Sequence, residues 1–192
     1  MTKLVIKTIA ITLASLIGAL AVTFGAMALF APKALGDLFD GAGNYSATVF
    51  FYEKAYEKSG DINDLINLAD KIDITNDLEN ANDCYKELVK HKDFDSYCAS
   101  KGENAQREKD YYIGNYALVL AKLNKFGEGL EIALDSAKTS YGAFNPIRIL
   151  IYEYLTADMT ENISATISAV ESIEISSNYI DIDKEYLQNL LG

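Results

Sequence analysis

The chain carries a single histidine, so any Ser-His-Asp or Cys-His centre would have to run through His91. That residue sits in the run VKHKDF, flanked by lysines at the end of an apolar-striped segment. The context predicts a solvent-exposed cation near a helix C-terminus, where the partial negative charge of the helix end favours it, and not a general base. Cys84 and Cys98 stand fourteen positions apart without a CxxC, so their spacing indicates neither a thioredoxin-like pair nor a zinc site. In an exported domain they could close a disulfide, and two free thiols are the other reading. Neither GxGxxG nor a GxxxxGK phosphate loop occurs, and GEG at 127–129 reads as a helix start beside a small packing position. Carboxylates are plentiful, but they fall at caps or on polar helix faces, where solvation accounts for them. No catalytic, metal-ligating or cofactor-binding residue is expected, and the chain is read as a non-enzyme.

The residues that remain of interest must be positioned by a folded scaffold. At 192 residues, 49% hydrophobic and 23% charged, with two prolines, the chain is long enough for one domain with a core and too apolar for disorder. All 28 acids lie beyond Pro32, where 15 of the 17 Lys and Arg also lie, so that part has a net charge of −13. A field of this sign opposes binding to nucleic acid or anionic lipid.

Ahead of it, residues 8–31 form an uncharged run of 24, TIAITLASLIGALAVTFGAMALFA, and a hydrocarbon core needs about 20 helical residues. Residues 1–31 are therefore read as a transmembrane anchor, followed by one domain at 32–192. Ala26-Met27-Ala28 has the small-x-small form of a signal-peptidase site, so a cleaved, secreted form is the alternative; the run exceeds the usual h-region of about 7 to 15 residues. No lipobox cysteine is present. Lys3 and Lys7 flank one end, while Lys33 at the other is followed by Asp37 and Asp40, which places the N-terminus in the cytoplasm and the domain outside. The inverted orientation, with a cytoplasmic domain, stays open. Gly18 and Gly25, with Ala14, Ser15 and Ala19, form a small-residue face that could bring two such helices together as a homo-oligomer.

In residues 61–94, 34 in all, Leu65, Leu68, Ala69 and Ile72 recur at helical spacing, and Leu78, Ala81, Tyr85 and Leu88 do so again after the turn DITND. Gly60-Asp61 marks a boundary and a cap, and Asn76 with Glu79 predicts a capping box. Two striped helices joined by a short turn make a hairpin that cannot hide both its apolar faces alone, so it needs stacked neighbours. These residues resemble the tetratricopeptide repeat, a helical hairpin of this length. Upstream, Leu35-Gly36, Phe39, Gly43, Tyr45, Tyr52 and Ala55 fall at the family's positions, with Thr48 departing at a small one. Downstream, Ile113, Tyr116, Ala117, Leu120, Phe126, Gly129, Ala133 and Ser136 repeat the order after the insertion SYCASKGENAQREK. A fourth unit opens at Asn145-Pro146, with a capping box at Asp158 and Glu161, and fits less well because Ile151 and Ile163 take small positions.

The fold expected is all-α: helical hairpins at about 33–60, 61–94, 110–143 and 144–177, stacked as a short solenoid, closed by a terminal helix at about 182–191 and preceded by one transmembrane helix. The resemblance implies protein binding as an adaptor or scaffold, in a groove lined by the first helix of each hairpin. Carried onto this chain, that groove takes Lys33, Asp37 and Asp40; Asn63, Ile66, Asp70 and Asp73; Tyr111, Leu118 and Lys122; and Arg148 and Tyr152. The four aspartates would suit a basic or amine-bearing peptide with aromatic anchors further along, unless they are ordinary solvated residues. The family's carboxylate clamp is not reproduced, since Asp37 and Asp70 stand where it needs a neutral or cationic donor. A self-associating structural subunit is the competing class.

Overall fold

The computed structural model describes residues 2–192, with side chains from Val5 onward, so Lys3 of the orientation argument lies outside the described side chains. Eleven α-helices and two 3-10 turns, with no strand, make up the described residues. They divide into two compact units, one ending at Thr75 and one running from Asn76 to Gly192.

In the first unit, α1 (Thr2–Phe30) continues until Pro32, whose ring disfavours a helical residue before it. Over Val5–Phe30 it is long and apolar enough to cross a membrane, a property it shares with signal sequences at this end of a chain. Pro32 then opens α2 (Pro32–Gly41), where its missing N–H is no loss. The turn to α3 (Tyr45–Ser59) uses Gly43 at φ +71°, and Asn44 Oδ1 caps α3 by accepting from the Ala47 N–H. Gly60 in the left-handed region ends α3, and Asp61 Oδ1 caps α4 (Ile62–Ile72) by accepting from the Asn63 N–H at 2.7 Å, so this boundary falls where the sequence puts it. α2 packs on α3 and α3 on α4. The approach of α2 to α3 requires Gly36, because a Cβ there would lie 2.4 Å from the Tyr52 ring. Leu35, Leu65, Leu68, Ala69 and Ile72, each 5% exposed or less, fill the space between these helices.

In the second unit, Asn76 takes φ +57°, and Asp77, not Asn76, caps α5 (Leu78–Lys90) by accepting from the Asn80 N–H. The expected Asn76–Glu79 box is displaced by one residue because the left-handed turn uses Asn76. The inserted stretch becomes the end of α6 (Phe94–Ala99), a 3-10 turn and the first residues of α7 (Ala105–Lys122). α7 is the central helix, packing on α5, α6, α8 (Phe126–Ala137) and α9 (Pro146–Glu153). Gly129 lets α8 reach it: a Cβ there would stand 2.6 Å from the Ala117 carbonyl oxygen. Asn145 caps α9 as the sequence predicts, accepting from the Ile147 N–H at 2.9 Å. α10 (Thr160–Glu171) follows Met159 without a side-chain cap, since Asp158 instead accepts from the Thr156 hydroxyl and the expected Asp158–Glu161 box does not form. α11 (Asn178–Leu191) starts earlier than expected, because Ser177 Oγ accepts from the Tyr179 N–H. Ile147, Leu150, Ile151, Ile163, Val170 and Leu187 form the fully buried heart of this unit.

Candidate partner-binding face

In the first unit the expected groove residues come together in part. Lys33 Nζ lies 2.9 Å from Asp37 Oδ1, and the Tyr52 hydroxyl donates to the same oxygen at 2.9 Å. Asp40 pairs with Lys71 at 2.9 Å. Burial raises the Tyr52 pKa, and the hydrogen bond to Asp37 with the fields of Asp37, Asp40 and Asp70 raises it further, so the phenol stays a donor. Three of the four aspartates therefore act on one hydroxyl. Asp37 itself has its pKa lowered: burial works against its charge, and the hydrogen bonds from Lys33 and Tyr52 outweigh that. Asp70 and Asp73 are exposed, the latter opening the 3-10 turn Asp73–Thr75. Asn63 is exposed and its amide donates to Asp61 Oδ1 at 2.8 Å, completing the cap of α4.

Ile66 is not on this surface. It is 5% exposed, because Ile62, Leu65, Ile66, Ala69 and Ile72 make one broad buried arc of α4, wider than the stripe the resemblance assumes. Leu118 is likewise buried, at the heart of α7.

In the second unit Tyr111 is exposed, its ring edge-on to Tyr112 at 5.0 Å, and Lys122 is exposed at the end of α7. Arg148 and Tyr152 are engaged within the chain. Arg148 Nε stands 3.0 Å from Asp183 Oδ2, an ion-pair distance at which its proton is not aligned as a hydrogen bond. The hydroxyls of Tyr141 and Tyr152 donate to Asp183 at 2.8 and 2.7 Å. The Arg148 guanidinium also lies over the Tyr179 ring, 4.3 Å from its centroid, and Tyr152 packs on Tyr186 at 4.9 Å. The face of α9 expected to receive a partner is thus occupied by α11. Burial raises the pKa of both tyrosines, and Asp183 adds to it.

Two buried carboxylates escaped the sequence reading. Asp183 is fully buried between Ile180 and Leu187, and Asp110 is 3% exposed on α7, accepting from Ser136 Oγ and Gln106 Nε2, each at 2.8 Å. For Asp183 the signal was an acid spaced between Ile180 and Leu187 on one apolar stripe, whereas Asp110, with Gln106 and Arg107 one turn before it, gave none. Burial raises the Asp110 pKa, with the two hydrogen bonds and nearby Lys109 only partly offsetting it.

His91 differs from expectation, its side chain being 8% exposed. It forms the C-cap of α5, and its Nδ1 accepts from the Asp93 N–H at 3.2 Å, which draws the ring onto the protein. Cys84 and Cys98 are buried and not joined in a disulfide, and burial pushes the Cys98 thiol up to about 11. A Cβ added at Gly18 or Gly25 would meet nothing within 4 Å beyond the helix's own backbone, so this face of α1 is open. No family model, curated protein or solved structure matches the chain.

Proposed function

We propose that the chain is a single-pass membrane protein whose tetratricopeptide-like domain binds a protein or peptide partner, as an adaptor or scaffold. The observation that carries this is the convergence of Asp37, Asp40 and Asp70 on Tyr52. The four groove aspartates of this unit outnumber the two lysines, Lys33 and Lys71, that pair with Asp37 and Asp40, and the surplus of acid suits a basic or amine-bearing segment. Two close approaches support the repeat-like packing: Gly36 against Tyr52, and Gly129 against Ala117, each joining residues the resemblance assigns to helix contacts. For orientation, two lysines, Lys3 and Lys7, precede the apolar run in the sequence and one, Lys33, directly follows it, a tally that Asp37 does not alter because acids count little in this rule. That imbalance favours an N-terminus in the cytoplasm and the domain outside.

Replacing Asp70 and Asp73 together with Asn should lower recovery of the bound partner several-fold in a pull-down, and equal yields would overturn the acidic-face reading. Protease shaving of intact cells should remove a C-terminal tag while the protein stays with the membrane. A tag protected until lysis would turn the domain to the cytoplasm.

Self-association is the second reading, favoured by the open face at Gly18 and Gly25. A detergent-solubilised mass of a stable multimer lacking any other protein would support it. Release after cleavage near Ala28 is less favoured. It would leave Leu29 as the N-terminus and strip Phe24 from the rings of Phe39 and Phe51.

A further inference from the structure

α1 does not end in open solvent before the domain begins. The Phe24 ring packs edge-on to Phe39 of α2 and Phe51 of α3, each with centroids at 6.1 Å, and Phe39 and Phe51 stack on each other at 5.6 Å. Met27 and Ala28 are half-buried at the same end of α1. Above them, Lys58 donates to the Leu29 and Phe30 carbonyl oxygens at 3.2 and 2.9 Å, capping the helix C-terminus, with its ammonium 5.7 Å from the Phe30 ring centroid.

These contacts fix a depth. A hydrocarbon core of about 30 Å takes up about 20 helical residues, and that length counted from the charge of Lys7 ends near Met27. Phe24 then lies about one turn inside the boundary, and rings that touch it cannot stand clear of the lipid. Lys58 falls on the headgroup side, where a lysine that caps a membrane helix can keep its charge hydrated. The apolar surface continues outward from the cluster: Phe50 packs on Phe51 at 5.1 Å and is 50% exposed, and Leu38, beside Phe39, is 59% exposed.

We propose that the α2–α3 hairpin is a lipid-contacting collar, its aromatic face seated at the boundary between headgroups and acyl chains beside Phe24. The occupant of this face is the bilayer, because the face is continuous with the flank of α1 at a depth that α1 itself sets. Aromatic rings are favoured at that level. The inference rests on α1 spanning the bilayer, and it makes the domain membrane-seated, not tethered above the surface.

The chain has no tryptophan, so one introduced indole reports alone. Full-length Phe50→Trp and, separately, Ile17→Trp would be reconstituted into phosphatidylcholine vesicles, with or without bromine on the acyl chains. Phe50→Trp should be quenched about twofold or more by lipid brominated near the headgroup, and less by lipid brominated near the chain end, with Ile17→Trp showing the reverse. Phe39→Trp, in the same cluster, repeats the measurement should Phe50→Trp fold poorly by circular dichroism. Equal emission of Phe50→Trp and Phe39→Trp in brominated and plain lipid, with Ile17→Trp quenched, would overturn the collar while leaving the span. Blue-shifted but unquenched emission would assign the face to protein, a second copy included, and also overturn it. An unquenched Ile17→Trp would remove the span and the collar together.

Discussion

Both units hold a carboxylate between a cation and a tyrosine. Asp37 has Lys33 and Tyr52, each at 2.9 Å; Asp183 has Arg148 at 3.0 Å with Tyr141 and Tyr152 at 2.8 and 2.7 Å. The side chain of Asp37 is 52% exposed and that of Asp183 is 0% exposed. Water can replace any partner of Asp37, so its contacts contribute little to stability and leave it free to change partners. No water reaches Asp183, so its partners serve the fold. Asp110 is the informative intermediate, buried like Asp183 but held by the neutral groups of Ser136 and Gln106. The environment around the same functional group, more than its list of contacts, separates an exchangeable carboxylate from a structural one.

The contrast is broken most directly at Asp183. Asp183→Ala leaves Arg148 and two tyrosine hydroxyls without their acceptor and should destabilise the second unit by about 3–5 kcal/mol in urea unfolding. A loss no larger than that of an exposed substitution would show that α11 is not pinned by this contact.

Asp110→Asn tests the intermediate through pH. The folded pKa of Asp110 lies above the ordinary 3.8, so its contribution to stability is complete below that value and is lost as pH rises through the folded pKa. The asparagine variant should therefore lose less stability than the parent between acid pH and neutrality, with the gap closing below pH 3.8. Parallel curves would mean that Ser136 and Gln106 fully compensate the charge.

Smallest is the effect at the exposed pair. Lys33→Ala should change stability by less than about 1 kcal/mol, and less still at high salt. The sign at Asp37 is opposite to that at Asp110: its folded pKa is lowered, so what it contributes is present above 3.8 and lost as pH falls through the folded value. A large loss in Lys33→Ala would erase the distinction between the two units.

Much of this was legible beforehand in the apolar spacing. Leu65, Leu68, Ala69 and Ile72 line the core of the first unit, and Ala81, Tyr85 and Leu88 are buried in the second, because a 3.6-residue period can satisfy only one face. Caps at Asp61 and Asn145 were legible because a short polar side chain beside an apolar run has few better uses. The caps at Asn76 and Asp158 were misplaced by a residue or dissolved, since a cap competes with the turn geometry beside it. Ile66 was assigned to a surface because a repeat pattern specifies which way a helix faces only when the neighbouring helices are in their expected places.

By itself, the sequence determined the long apolar helix at the N-terminus, the all-helical class and the helix boundaries at Gly60-Asp61 and Asn145, because these follow from local backbone preferences and the period of apolar residues. Only the tertiary structure decided that Asp183 is a core residue, that Arg148 and Tyr152 are taken by α11, and that Phe24 meets Phe39 and Phe51. Each of these joins residues distant along the chain, and burial, which sets the worth of a charge or a ring, is a property of the neighbours that packing brings.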